Sequence, residues 1–130
     1  MKAIDSAYII DFLRGDAAAV KKAKELEDEV VATTYVNYFE VIIGELRQHN
    51  QNDTHVMKAI ELFSRMEVFD LDKNAATTAA HIGATLLKKG TKINSHDMLI
   101  AGILLSKGIT TIITRDKDFE KINELKVEQY

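Results

Sequence analysis

The sequence predicts a three-layer α/β/α domain with a mostly parallel central sheet, on three observations. Short β-branched runs alternate with longer segments of helical spacing along the chain, which is the pattern of strands joined by crossover helices. The run Ile109–Ile113, set off by Gly108, is β-branched throughout, as expected of a strand buried on both faces. Finally, 130 residues with no proline and no linker-like segment are enough to bury about two-thirds of the unfolded surface in one core. A single domain spanning 1–130 is expected.

The elements follow in order. Lys2–Ile4 is a short apolar strand ending at Asp5-Ser6, and Ala7–Leu13 has helical spacing that stops at Gly15. Ala17–Leu26, rich in Ala and Lys, predicts a second helix. Val30–Thr33 is a strand, and Thr34 is placed to cap a helix over Tyr35–His49. Asn50–Asp53 is a polar turn from which Asp53 or Thr54 caps a helix reaching Met66. Val68–Leu71 predicts a third strand, and Asp72–Lys89 a long helix closed by Gly90. Asn94 caps a helix over Ser95–Lys107, Gly108 ends it, and the Ile109–Ile113 strand follows. A short helix from Asp118 and a last strand, Lys126–Gln129, complete the set.

Composition narrows the function classes. With no cysteine there is no thiolate nucleophile, disulfide or Cys-ligated zinc. A net charge of −3 argues against a non-specific nucleic-acid coat, although Lys21, Lys22, Lys24, Arg47, Lys88, Lys89 and Lys92 could form local basic surface or a solvated face. The first residues carry acids inside their apolar part, so neither a leader peptide nor a membrane span is expected. The expectation is a soluble cytoplasmic protein.

Four carboxylates stand in unusual places. In the Tyr35 helix the spacing predicts an apolar stripe of Val36, Phe39, Ile43 and Leu46, and Glu40 falls within it, where burial is costly without compensation. Asp97 shares a stripe with Ile100, Ala101, Leu104 and Leu105, yet as the third residue after the Asn94 cap it is also a favoured helix-start acid. Asp5 ends the first strand and Asp116 the Ile109 strand, and either Asp5, Asp116 or Asp118 could simply cap the helix that follows. Together, two helix acids and two strand-end acids belong at the carboxyl edge of a parallel sheet, where ligands bind. Carboxylates about 4–5 Å apart repel by a few kcal/mol per pair at an effective dielectric near 20, and a divalent cation cancels that repulsion. Oxygen donors alone favour Mg²⁺ or Mn²⁺, and metal-assisted phosphodiester hydrolysis is the chemistry that follows.

The pieces KAIDSAYIIDFL, YVNYFEVIIGEL, NSHDMLIAGILLSKG and ITTIITRDKDFEKI, in that order and spacing, resemble the PIN-domain ribonucleases, and among them the VapC-type toxins of toxin–antitoxin operons. The resemblance spans nearly the whole chain. It implies metal ligation by Asp5, Glu40, Asp97 and Asp116, with Asp118 able to share or take over the last role because TRDKDF is one residue shorter than the TRNxxDF of many relatives. It implies that Ser6 and Thr114 are hydroxyls supporting those ligands. Arg115 and Lys117 flank the site as possible phosphate contacts or as plain surface charges. The implied partners are an RNA substrate, a homodimer mate and a VapB-like antitoxin that docks over a groove and inserts a basic side chain among the acids. Tyr8, Phe12, Leu13, Ala17 and Val20 either line that groove or belong to the core.

The alternatives are a catalytically silent PIN-like module that binds RNA or protein, and a phosphoacceptor receiver domain. Asp5 has no acidic neighbour of the kind the receiver needs, and Asp70 and Asp72 do not match its pattern. A histidine-based ribonuclease is disfavoured because His49, His55, His81 and His96 are scattered in the sequence, with His96 about 100° around the helix from Asp97.

Overall fold

The computed structural model describes residues 1–130. In order the elements are β1 (Lys2–Ile4), α1 (Ser6–Leu13), α2 (Ala17–Glu25), β2 (Val31–Thr34), α3 (Tyr35–Gln48), α4 (Thr54–Ser64), β3 (Glu67–Phe69), α5 (Lys73–Lys88), α6 (Ser95–Ser106), β4 (Thr111–Ile113), a 3₁₀ turn (Lys117–Lys121) and β5 (Lys126–Glu128). The five strands form one sheet in the order β3-β2-β1-β4-β5, and every pair is parallel. The first strand therefore lies at the centre, with Ala3 opposite Ala32 on one side and Ile112 on the other.

Helices cover both faces. One apolar cluster joins Ala3, Ile100, Leu104, Ile112 and Phe119, and the other joins Ile4, Ile9, Val41, Phe63 and Ile113. The tightest helix pair is α5 with α6. At Gly102 an added Cβ would lie 2.5 Å from the Ala79 Cβ and 2.7 Å from the Ala75 carbonyl oxygen, so only glycine lets the two backbones approach this closely.

Two predicted features change. The Ile109–Ile113 run contributes only Thr111–Ile113 to the sheet. Gly108 adopts a left-handed φ of 74°, and the Gly108 and Ile109 N–H groups donate back to the Leu105 and Leu104 carbonyls. Closing α6 thus uses the Ile109 N–H, and its side chain joins the core from outside the ladder. On α3 only Val36 of the predicted core stripe packs against the core. Phe39, Ile43 and Leu46 are exposed, as is Tyr35, while the buried side is Asn37 and Val41. The helix is apolar on its outer side as well as its inner one, so spacing alone selects the wrong face.

Candidate active site

Because the strands are parallel, their carboxyl ends share one edge, where the amino termini of α1, α3 and the 3₁₀ turn also begin. Asp5 directly follows β1, Thr34 ends β2, and Thr114 directly follows β4. The Thr33 hydroxyl donates to the Ile4 carbonyl at 3.0 Å, tying β2 to the end of β1 beside the acid.

Asp5 is buried and stands at the N-cap position of α1 without making a side-chain cap. Its oxygens are instead turned to other elements. Asn37 Nδ2 donates to Oδ1 at 3.0 Å, and the Thr114 hydroxyl donates to Oδ2 at 2.8 Å. Asn37 is fully buried and is itself fixed by the Thr34 hydroxyl, which donates to its Oδ1 at 2.7 Å. Its Nδ2 also donates to the Ser6 oxygen at 2.9 Å, and Ser6 donates in turn to Glu40 Oε1 at 2.8 Å. Asn37 thus orients Asp5 directly and Glu40 through Ser6. Burial raises the Asp5 carboxyl from its ordinary 3.8 to about 6, against the lowering effect of the Thr114 hydrogen bond.

Asp97 is buried in the first turn of α6. The cap there is Asn94, whose Oδ1 accepts from the His96 N–H at 2.7 Å. One carboxylate oxygen each from Asp97, Asp116 and Asp118 lie within 4.8 Å of one another. Burial, followed by the charges of Asp116, Asp5, Glu40 and Asp118, pushes Asp97 up to about 7. Asp97, Asp116 and Asp118 thus form one trio, and Asp5 and Glu40 are near enough to raise Asp97. Two basic side chains stand beside these acids: Lys121 Nζ, 2.8 Å from Asp118, and His96 Nδ1, 3.6 Å from Glu40.

The two hydroxyls predicted to support the acids are in place, with Thr114 also accepting from the Asp116 N–H at 2.9 Å. Asp116 Oδ1 accepts from the Asp118 N–H at 2.9 Å, so this acid both starts the 3₁₀ turn and faces the cluster. Lys117 is exposed. The Arg115 guanidinium turns to Asp11 and Asp16, 3.3 Å from each, and lies 4.3 Å from the Tyr130 ring centre. Asn37 escaped the sequence reading. Its signal was a polar residue three positions after the Thr34 cap and three before Glu40, which places it on the same helix face as the acid.

The donors are all oxygens, Asp5 and Asp97 are raised first by burial and then by neighbouring acids, and support comes from neutral hydroxyls and an amide. This set fits a hard divalent cation. It does not fit zinc, which favours nitrogen and sulfur donors.

Among curated proteins, a tRNA(fMet)-specific endonuclease VapC from Shigella flexneri is 27% identical over 128 residues, covering 98% of this chain and 96% of the relative. Among solved structures, VapBC2 from Rickettsia felis bound to a promoter DNA fragment superposes with a TM-score of 0.84 at 17% identity, covering 99% of this chain and 98% of that one. VapC20 of Mycobacterium tuberculosis, a toxin that cleaves the sarcin–ricin loop, gives 0.69 at 17% identity, covering 92% and 93%. The model of the PIN domain family matches residues 2–125, and the chain belongs to that family.

Proposed function

We propose that this protein is a divalent-metal-dependent endoribonuclease of the VapC type, the toxin of a toxin–antitoxin pair. The observation that carries the proposal is the convergence of Asp5, Asp97, Asp116 and Asp118 at one sheet edge, with Asp97 raised to about 7 by burial and by its acidic neighbours. Mg²⁺ or Mn²⁺ would be held by Asp5, Glu40, Asp97, Asp116 and Asp118. When bound, the ion supplies charge neutralisation at the scissile phosphate and a water of lowered pKa.

The chain's own residues supply the order around it. Asn37 and Thr114 hold the two oxygens of Asp5 in a fixed plane, so that ligand need not be oriented when substrate arrives. Ser6 holds Glu40, and the Asp118 N–H holds Asp116. Asp97, the group most raised, is the carboxylate with the most to gain from a cation.

The Shigella relative is named as a tRNA(fMet)-specific endonuclease and the mycobacterial neighbour for cleaving the sarcin–ricin loop. Both targets are looped, structured RNAs, in which splayed bases are accessible; we assign that substrate class here. A VapB-like antitoxin would seat against an apolar cleft between α1, α2 and α4. Tyr8 and Phe12 line it together with Ala23, Leu26, Leu62 and Met66; Leu13, Ala17 and Val20 do not. A homodimer mate requires an apolar face, and Tyr35, Phe39, Ile43 and Leu46 present one. Ile43→Glu should then yield a monomer in sedimentation, and an unchanged oligomer would place the interface elsewhere.

No helix is long and apolar enough to cross a membrane. The decisive experiment incubates the purified protein with initiator tRNA and with a pool of structured RNAs, in Mg²⁺, Mn²⁺ or EDTA. Cleavage in the metal lanes that disappears in EDTA supports the proposal. RNA retained intact in every lane, with no ion bound at millimolar Mg²⁺, would overturn it in favour of a binding module.

A further inference from the structure

The histidines that are scattered in sequence are not all scattered in space. His49 closes α3 and Asp53 caps α4, with the Asp53 N–H donating to the Asn50 carbonyl at 2.9 Å to make the turn between them tight. This turn brings the His49 and His55 rings into a stack, with centres 4.1 Å apart and planes 4° from parallel. Asp53 Oδ1 lies 2.7 Å from His55 Nδ1, and its Oδ2 lies 3.7 Å from His49 Nδ1. On the other side of His49, Glu45 Oε2 is 3.8 Å from Nε2.

One nitrogen from each ring and one Asp53 oxygen fall within 4.8 Å of one another. Zinc bonds of about 2.0–2.2 Å place tetrahedral ligands roughly 3.3–3.5 Å apart. An imidazole binds a metal in its own ring plane and stacked parallel planes do not meet, so closing the set needs the His55 ring to turn out of the stack as well as approach by about an ångström, a rotation open to a side chain that is 63% exposed. Hydrogen bonds from the His55 backbone and ring lower the Asp53 carboxyl below its ordinary range, so it is already a charged ligand. Two imidazoles with a carboxylate suit borderline transition metals, unlike the all-oxygen pocket at the sheet edge.

We propose that His49, Asp53 and His55, with Glu45 beside the opposite ring nitrogen of His49, form a second metal site that takes Zn²⁺ or a similar borderline divalent ion. Its role is structural: it clips the last turn of α3 to the first turn of α4. Nine residues separate His49 from Glu40 on α3, about 13 Å along the helix axis, so the clip and the catalytic pocket occupy separate ends of one helix.

The test is a titration of the full-length chain with Zn²⁺, in millimolar Mg²⁺, followed by the ring ¹⁵N resonances of the four histidines. Expected are shifts at His49 and His55 at one equivalent, with His81 and His96 unmoved. Calorimetry should give binding that His49→Gln or His55→Gln each weakens on the order of tenfold or more, together with a Zn²⁺-dependent rise in Tm that both variants lose. A response confined to His96, or binding that survives both substitutions, would overturn the proposal.

Discussion

Two groups of carboxylates lie on either side of Arg115 and are treated in opposite ways. Asp11 and Asp16 come close enough to share one guanidinium, which also stacks on Tyr130, and the Tyr130 hydroxyl donates to Asp11 at 2.6 Å. Burial and that same contact hold the Tyr130 phenol well above its ordinary pKa. Neither Asp11 nor Asp16 needs a further cation. Asp5 and Asp97 are more buried, and their nearest supports are hydroxyls, an amide and other acids. Carboxylates in proximity are therefore not enough to make a site. What distinguishes one is that no lysine or arginine pairs with its buried acids Asp5 and Asp97, even with Arg115 one residue from Asp116, and that Lys121 reaches only the outer Asp118.

The strongest way to break this contrast is Asp97→Asn. Cleavage should fall by about 100-fold or more, since removing a ligand should cost at least as much as removing its support. Tm measured in EDTA should rise, because a repelling buried charge is gone; retained cleavage would remove Asp97 from the site.

Asn37→Leu comes next. It strips Asp5 and Thr34 of their buried partner and should cost about 1–3 kcal/mol by denaturant unfolding, with a loss of about 10–100-fold in cleavage. A shift in the Mn²⁺ dependence would mark a positioning role, which a purely structural residue would not produce.

The third concerns pH. Asp5 and Asp97 titrate at about 6 and 7 in the folded chain against an ordinary 3.8, so between pH 4 and 7 the folded state binds more protons than the unfolded one. Stability without metal should be greatest at the acid end of that window and fall as pH rises through it. Tm in EDTA should be several degrees lower at pH 8 than at pH 5, Mn²⁺ should restore it at pH 8, and Asp97→Asn should flatten the slope. A Tm that rises over this range would contradict the burial of these acids.

The smallest effect is expected for Arg115→Met. The pair with Asp11 and Asp16 is half-exposed, so its loss should cost no more than about 1 kcal/mol, with cleavage near the wild-type rate. A raised KM would return Arg115 to the phosphate-contact role.

Much of this was legible from local signals. The caps Thr34 and Asn94 are used as read, and of Asp53 and Thr54 it is Asp53 that caps α4, because a cap is decided by neighbours in sequence. Asp97 was readable because Ile100, Ala101 and Leu104 beside it are buried. Glu40 reached the site by a mistaken face, since Phe39 and Ile43 point outward. Asn37 could not be found by a search for charge, being neutral, and its importance comes from partners at positions 5 and 6. Nor could the sequence show that Arg115 is engaged by residues a hundred positions earlier, or that His49 stacks on His55.

The central position of β1 has a consequence for timing. Its partner on one side, β4, pairs through Ile4 and Ile113, and Asp5 is gripped by Thr114. More than a hundred residues must be synthesised between the first half of the pocket and the second, on the order of five to twenty seconds of translation. Throughout that interval the emerging polypeptide holds Asp5 without Thr114, Asp116 or Asp118. Until β4 and the turn after it have left the exit tunnel, the nascent chain cannot assemble the acidic cluster.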